Sequence, residues 1–226
     1  MTCDIFYRSY AKDFPWLAQS LLSQKKYASG FHKTHIAVPV GDLPQTPEGS
    51  FEIHLVNEQC NGYLAQQITK LHADDFCKSD YILHVDSDCI WDKPVNPECF
   101  LVDGKPVMLR EDGCESPWMA ISAISLGWLD DYEYMRRLPI IYPRWIYGEF
   151  RAWMNEAHHM SVDQWIMQQP NNSFSEFNTL GQWAFKYHKD AFTWLHPYKM
   201  ASYCKQYWSW GGIESHIDEI KSTIAA

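Results

Sequence analysis

The chain has 226 residues, 46% hydrophobic and 21% charged, a length and composition that suit one sizeable globular domain and exclude an intrinsically disordered chain. Its formal net charge is −9, and lysines and arginines never cluster in runs longer than a pair, which disfavours a protein that holds nucleic acid mainly through the phosphates. No apolar run approaches the roughly 20 residues that span a bilayer, so we expect no integral membrane segment.

The seven cysteines are odd in number, scattered, and never form a C-x-x-C pair. This pattern argues against a disulfide framework and a structural zinc site, and it indicates a reducing compartment. The first residues pass directly into a strand-like run, with no basic segment before an apolar core. We therefore expect a cytoplasmic protein.

The first hundred residues alternate between strand and helix patterns. Buried parallel strands appear as apolar runs, and helices show apolar residues at every third or fourth position. The predicted strands are Asp4–Tyr10, Thr34–Val40, Phe51–Val56 and Tyr81–Val85, and the predicted helices are Phe14–Tyr27 and Gly62–Phe76. This order predicts an α/β fold of the doubly wound, Rossmann-like kind, with a mostly parallel central sheet flanked by helices and ligands bound at the carboxyl ends of the strands.

Beyond residue 100 the pattern is less regular, and nine of the eleven tryptophans occur there. Large aromatic rings fill cores and also stack on the apolar faces of sugars, so both roles stay open for each tryptophan. We expect a single domain over residues 1–226, in which residues 101–226 complete the fold begun by residues 1–100 and end in a lid and a helix. The elements predicted in this half are a strand at Pro106–Leu109 and helices at Tyr132–Arg137, Phe150–His158, Ser161–Gln169 and Ile213–Ile220.

Two carboxylates separated by one residue, in Asp86-Ser87-Asp88, directly follow the predicted strand Tyr81–Val85. In extended backbone alternate side chains point the same way, so both carboxylates can face one site. Neighbouring carboxylates repel each other unless a cation neutralises them. A hard divalent ion, Mn²⁺ or Mg²⁺, would do so and leave positions for phosphate oxygens. The alternative is a solvated acidic turn after a buried strand.

The chain resembles the GT-A glycosyltransferases, and among them a group of short bacterial and phage catalytic domains, over residues 3 to about 200. The resemblance implies a GT-A fold that transfers a sugar from a nucleotide-sugar donor, bound by residues 1–100, to a glycan or another hydroxyl-bearing acceptor on the side of residues 101–226. A nucleic acid stays open only as such an acceptor. The matching segments are the strand with Ser9-Tyr10, the helix with Gln67 and Lys70, the strand ending in Asp86-Ser87-Asp88, Phe100–Pro106 and Phe174–Asn178.

The resemblance also implies roles for individual residues. In such enzymes the two aspartates bind the metal and the donor ribose, so Asp88 is expected to contact the metal, and Asp86 the metal or the ribose. His196 is the predicted third metal ligand, with an ordinary structural histidine as the alternative. Gln67 and Lys70, on the second predicted helix, are expected to bind the donor, and the alternative for both is a solvated helix face. The donor-binding residues expected are Ser9, Tyr10, Asp42, Gln67, Lys70, Asp86 and Lys199.

An inverting transferase also needs a general base, because a carboxylate or a histidine must reach the acceptor hydroxyl. Glu176, between Phe174 and Phe177, is the first candidate and Asp163 the second. The alternative for Glu176 is a capping box in which Ser173 is the N-cap and Glu176 occupies the third helical position. A retaining enzyme would need no such base, and Glu176 would then help to hold the acceptor.

Two other classes of function fit parts of the pattern. A sugar nucleotidyltransferase, or another phosphate-handling α/β enzyme, would share the architecture. However, Arg8–Pro15 contains no glycine, whereas a nucleotidyltransferase needs a Gly-rich basic loop after its first strand. A catalytically inactive binding protein with the GT-A fold is the second alternative, and the presence of both aspartates speaks against it.

Overall fold

Twelve strands and eight helices make up the part of the chain that the computed structural model describes, residues 1–113, 116–135 and 138–225. The strands are β1 Cys3–Arg8, β2 Thr34–Pro39, β3 Glu52–Val56, β4 Tyr81–Val85, β5 Cys89–Trp91, β6 Leu101–Val102, β7 Lys105–Leu109, β8 Glu111–Asp112, β9 Tyr132–Glu133, β10 Ile140–Pro143, β11 Thr193–Leu195 and β12 Cys204–Gln206. The helices are α1 Phe14–Tyr27, α2 Gly62–Leu71, α3 Ala73–Phe76, α4 Pro117–Leu126, α5 Trp145–His158, α6 Val162–Met167, α7 Glu176–Tyr187 and α8 Ile217–Ala225.

The central sheet has five strands in the order β10-β4-β1-β2-β3. β1 pairs in parallel with both β2 and β4, β2 pairs in parallel with β3, and β10 runs antiparallel beside β4. β1 is buried throughout and β4 almost throughout, as expected for apolar central strands of a parallel sheet. The predicted α/β architecture, a mostly parallel central sheet flanked by helices, is therefore confirmed.

Local sequence signals account for where several helices begin and end. Pro15 lies in the first turn of α1, where its missing N–H costs nothing. The Asn61 side chain caps α2 by accepting a hydrogen bond of 3.2 Å from the backbone N–H three residues later. Ser161 caps α6 in a capping box with Gln164. α4 ends at Gly127, whose φ of 77° lies in the left-handed region that favours glycine.

The structure differs from the predicted elements mainly beyond residue 100. The helix predicted at Tyr132–Arg137 is wrong at its start, because Tyr132 and Glu133 pair with β8 as β9, and residues 136–137 lie outside the described residues. The sequence pattern also misses α4. Its sequence is apolar nearly all round, so it lacks the one-sided periodicity that marks a surface helix.

Other helix boundaries also differ from the prediction, among them that of α6, which covers Val162–Met167 rather than Ser161–Gln169. The helix predicted at Gly62–Phe76 is two helices, α2 and α3, because the backbone of His72 (φ −109°, ψ 19°) is not helical. α5 begins at Trp145, immediately after β10, rather than at Phe150. α8 covers Ile217–Ala225 rather than Ile213–Ile220. Such ends depend on tertiary contacts more than on local periodicity.

Aromatic side chains fill much of the core behind the sheet. Trp183, 3% exposed, packs edge-on against Phe150 with ring centroids 5.5 Å apart. Trp194 packs in the same way against Phe185 at 4.9 Å. These tryptophans therefore have the packing role rather than a sugar-stacking one. Of the helices that the structure describes, none combines the length and the apolar character that crossing a membrane requires.

Candidate functional site

A cleft runs along the carboxyl ends of the parallel strands. It consists of two adjoining cavities of about 590 Å³ and 470 Å³. Both are lined by Arg8 at the end of β1, by Tyr10 and Asp13 from the segment that follows it, and by two side chains of α2. The first cavity is also lined by Asp86, Ser87, Asp88, Asn172, Ser209 and Trp210, and the second by Pro39, Asp42, Glu58 and Gly62.

The strand order explains why the cleft forms here. From β1 the chain proceeds to β2 and β3 on one side of the sheet and then returns to β4 on the other side. The order therefore reverses between β1 and β4, and open α/β sheets bind ligands at such a switch point. The segments that follow these two strands are held together by a hydrogen bond of 2.8 Å between the Ser87 and Ser9 hydroxyls. The aspartate motif thus lies where the topology predicts a ligand site.

Asp86 is the more accessible of the two aspartates, with 19% of its side chain exposed. Its Oδ1 accepts a hydrogen bond of 2.8 Å from Nζ of Lys70, a side chain that is itself only 3% exposed. Burial lowers the pKa of Lys70, but the charges of Asp86 and Glu176 more than offset it, so the pKa lies above its usual value. The motif is therefore partly neutralised by a buried ammonium group.

Asp88 is enclosed by the segment near the end of the chain. Its Oδ2 accepts a hydrogen bond from the backbone N–H of Ser209 at 2.8 Å, and its Oδ1 accepts one from the Gln206 amide at 3.3 Å. Burial, together with the negative charge of Asp86, raises the pKa of Asp88 to about 6. A cation bound at the motif would favour the ionised form of this carboxyl group.

Asp13 adds a third carboxylate to the cleft. Burial raises the pKa of Asp13, a hydrogen bond from Ser209 lowers it, and the charge of Asp86 raises it again. On the other side of the cleft, the buried Arg8 forms an ion pair with Glu58. The cleft therefore has an acidic end at the aspartate motif and a paired cation between the ends of β1 and β3.

The acidic end of the cleft offers carboxylate oxygens, which are the ligands that hard divalent ions prefer. Among the described residues, Asp13, Asp86 and Asp88 do not form a set of three ligands within 4.8 Å of one another, as a closed all-protein site would. Mg²⁺ and similar ions are commonly held by one or two carboxylates and complete their shell with water and substrate phosphates. Among the described residues the cleft therefore offers carboxylate oxygens of the kind that these ions use, without a closed three-ligand site.

Glu176 lies beneath the motif and not at the surface of the cleft. It begins α7, is 0% exposed, and places Oε1 at 3.1 Å from Nζ of Lys70. That contact is an ion pair without the alignment of a hydrogen bond, and among the described residues Oε2 has no hydrogen-bond partner. The backbone N–H of Glu176 donates to Oε1 of Gln67 at 3.0 Å. Burial raises the pKa of Glu176, and the charge of Lys70 partly lowers it.

The capping alternative for Glu176 is wrong in its positions. Ser175, and not Ser173, is the N-cap of α7, and its hydroxyl accepts a hydrogen bond from the backbone N–H of Asn178 at 3.3 Å. Glu176 is consequently the first residue of the helix. The solvated-face alternative for Gln67 and Lys70 is also wrong, because these side chains are only 4% and 3% exposed.

The predicted donor-binding residues fall into three groups. Tyr10, Asp42 and Asp86 line the cleft, and Asp42 also accepts a hydrogen bond of 2.8 Å from the backbone N–H of Ala11. Three others are buried beneath it: Ser9, Gln67 and Lys70. Lys199 lies elsewhere, exposed in a turn after β11, where its N–H donates to the carbonyl oxygen of His196 at 2.9 Å.

Two other predicted residues have neighbours outside the cleft. His196 lies 3.8 Å from Glu111, and none of the interactions found among the described residues connects it with Asp86 or Asp88. Oδ1 of Asp163, in α6, lies 2.8 Å from Nε2 of His72, at the end of α2, and the two atoms share a hydrogen bond. Their proposed roles in metal binding and proton transfer stay predictions.

Several residues of the site are not predicted by any motif in the sequence. Arg8, Glu58, Tyr63, Gln66 and Ser209 line the cleft although no motif contains them. A partial signal exists for Arg8, since a charged residue within an otherwise apolar strand end is unusual. Ser209 carries no such signal, because its backbone N–H, and not its side chain, binds Asp88.

Comparison with known proteins supplies a family for the chain. No curated protein matches it. The model of one protein family, described as a family of unknown function (DUF6492), matches residues 22–196. The match includes β2, β4 with the aspartate motif, and α7 with Glu176. Because it spans more than half of the chain, the protein belongs to the DUF6492 family.

Proposed function

We propose that the protein is a metal-dependent glycosyltransferase of the GT-A type, which moves a sugar from a nucleotide-diphosphate-sugar donor to a glycan or another hydroxyl-bearing acceptor. One observation carries the proposal: Asp86 and Asp88 line a cleft of about 590 Å³ at the switch point of a mostly parallel sheet. The resemblance of the chain to GT-A enzymes, which includes the strand that ends in Asp86-Ser87-Asp88, adds to it.

In this proposal Asp86 and Asp88 would hold a Mn²⁺ or Mg²⁺ ion, which would supply positive charge for the diphosphate of the donor and for the leaving nucleotide. Lys70, which is buried beneath the cleft, positions Asp86 because its Nζ donates a hydrogen bond of 2.8 Å to Oδ1 of Asp86. Tyr10 and Asp42, on the other part of the cleft, are available for the base and ribose of the donor.

For Glu176 we propose a positioning role and not that of a base in contact with the acceptor. A general base must reach the proton that it removes, and the carboxylate of Glu176 is fully buried. Its ion pair with Lys70 makes it a positioning residue that acts on Asp86 through that lysine. Glu176→Gln tests this role: a rate loss accompanied by weaker Mn²⁺ binding fits positioning, whereas a rate loss of about 10²–10⁴ at unchanged Mn²⁺ binding fits a base.

The decisive experiment is a thermal-shift screen of nucleotide diphosphates and nucleotide sugars, with and without Mn²⁺. A ligand at a hundred times its dissociation constant stabilises a fold by about 2.7 kcal/mol, which such a screen detects easily. We expect stabilisation by one class of nucleotide only when Mn²⁺ is present, and loss of this effect in Asp88→Asn. Asp190→Asn is the matched control, because Asp190 is exposed in a turn and lines neither cavity.

The screen also separates the competing functions. Mn²⁺-dependent binding of a nucleotide sugar, followed by its hydrolysis or transfer, supports the proposal. Binding without turnover on any acceptor tested would favour an inactive binding protein. Synthesis of a nucleotide sugar from a nucleoside triphosphate and a sugar phosphate would favour a nucleotidyltransferase. If no nucleotide stabilises the protein with or without Mn²⁺, the proposed function is refuted.

A further inference from the structure

A second polar cluster lies at the edge of the central sheet, away from the cleft. His35 is near the start of β2, and Glu52 and His54 are on the edge strand β3. In the register of these parallel strands His35 is opposite Glu52, and Ala37 is opposite His54. Because alternate residues of a strand point to the same face, the side chains of His35, Glu52 and His54 share one face of the sheet.

The ligand-type atoms of these three side chains converge. Nδ1 of His35 lies 2.9 Å from Nε2 of His54, a hydrogen bond that a metal ion bound by both nitrogens would replace, and 3.5 Å from Oε2 of Glu52. One possible ligand atom from each of the three side chains lies within 4.8 Å of the other two. In a tetrahedral zinc site with bonds of about 2.0–2.1 Å, two ligand atoms are about 3.3–3.4 Å apart. The two distances measured from His35 bracket that separation, so the cluster has the dimensions of a metal site.

The other nitrogen of His35 provides an independent observation. His35 is 3% exposed, and its Nε2 is a buried atom without a hydrogen-bond partner among the described residues. It lies 3.5 Å from Oδ2 of Asp4, a buried carboxylate whose oxygen also accepts hydrogen bonds of 3.0 Å from the backbone N–H groups of Lys78 and Ser79. A histidine that binds a metal through one nitrogen commonly directs its other N–H at a carboxylate in this way.

We propose that His35, Glu52 and His54 bind a divalent transition-metal ion of the zinc class, with Asp4 orienting the ring of His35. Imidazole ligands favour Zn²⁺ over the hard ions that suit the carboxylates of the cleft. Three protein ligands leave a fourth position for water. The bound ion fastens the edge strand β3 to β2, and the site is separate from the aspartate motif.

A neighbouring combination of side chains fits an ion less well. Cys77 lies with Asp4 and His35 in another group whose ligand atoms are within 4.8 Å, but all three of these side chains are buried. In contrast, Glu52 is exposed and His54 half-buried, so an ion can enter from solvent. The side chain of Glu52 is also held in place. Its Oε1 accepts a hydrogen bond of 2.5 Å from Nζ of Lys33, and its Oε2 lies 3.5 Å from Nδ1 of His35.

Calorimetric titration of the full chain with Zn²⁺ tests the proposal. We expect one equivalent of zinc to bind to the wild type, and His54→Asn to weaken this binding by about 10–100-fold or more. His159→Asn is the matched control and should bind zinc as the wild type does. His159 is exposed with φ of 54°, a conformation that asparagine tolerates well. Glu52→Gln is a second variant. Because Glu52 is exposed, this substitution tests the site even if His54→Asn does not fold.

X-ray absorption of the protein with one equivalent of zinc provides a second measurement. Nitrogen and oxygen ligands at about 2.0–2.1 Å, without sulfur at about 2.3 Å, would support the site. Three results would overturn it: no zinc binding by the wild type, wild-type affinity in both His54→Asn and Glu52→Gln, or a sulfur ligand in the absorption spectrum.

Discussion

Lys70→Met is the substitution that tests the buried charges under the aspartate motif most directly. Lys70 is 3% exposed, and its Nζ lies 2.8 Å from Asp86 and 3.1 Å from Glu176. Methionine has a similar length but carries no charge, so the variant removes the cation with little change in packing. Asp86 can still be solvated from the cleft. Glu176, which is 0% exposed, loses the cation that compensates its charge.

The two distances give the scale of the effect. At an effective dielectric constant of about 20, unit charges about 3 Å apart attract each other by about 5 kcal/mol, before the cost of their desolvation is subtracted. Removal of one partner of a buried ion pair typically costs about 3–5 kcal/mol. We therefore expect Lys70→Met to lower the free energy of unfolding by about that amount near neutral pH. Glu176→Gln should cost less, because Lys70 keeps its contact with Asp86.

The pH dependence has a definite sign. Burial already raises the pKa of Glu176, and loss of the Lys70 charge removes an influence that lowers it. In Lys70→Met the folded state therefore holds a proton on Glu176 at pH values where the unfolded chain, with a pKa of about 4.3, has released it. Stability then falls as the pH rises above that value. The penalty of Lys70→Met should thus be smaller at about pH 4.5 than at about pH 7.

Urea unfolding of four proteins measures these effects: the wild type, Lys70→Met, Glu176→Gln and the double variant. If Lys70 compensates Glu176, the double variant should be more stable than the sum of the single losses implies, and it should lose the added pH dependence. Residues in contact usually show coupling above about 0.5 kcal/mol. Additive losses within that margin, or a Lys70→Met penalty independent of pH, would refute the reasoning.

Three further predictions concern the cleft and its surroundings. Because burial and the charge of Asp86 raise the pKa of Asp88 to about 6, Mn²⁺ affinity measured by calorimetry should decrease as the pH falls through about 6, and a pH-independent affinity would contradict this. Trp210→Ala should weaken donor binding and change stability by less than about 0.5 kcal/mol, because Trp210 lines the cleft and is 85% exposed, whereas Trp208→Ala should leave donor binding unchanged. If His196 is the third metal ligand, His196→Ala should weaken Mn²⁺ affinity by about tenfold or more, and an unchanged affinity would remove His196 from the metal site.

Much of the candidate site could be predicted because its residues follow strands. β1, β2, β3 and β4 carry apolar or alternating patterns that reveal them locally, and the carboxyl ends of parallel strands must meet at one edge of the sheet. Asp86 and Asp88 were therefore placed in the cleft by the order of the elements alone, together with Tyr10 and Asp42. The residues under the cleft needed more information. Gln67 and Lys70 share a helix face in sequence, but only packing decides that this face is buried.

The sequence by itself determined the mostly parallel α/β class of the sheet and the position of the aspartate motif at the end of a strand, because periodicity and the succession of strands and helices along the chain can be read locally. The tertiary structure alone decided which distant residues meet: Glu176 with Lys70, Ser209 with Asp88, and His35 with His54. It also decided that β10 lies antiparallel beside β4 and that His196 lies beside Glu111. The physical reason is that such contacts depend on register and on the packing of side chains far apart in the chain, and no local pattern of residues encodes either one.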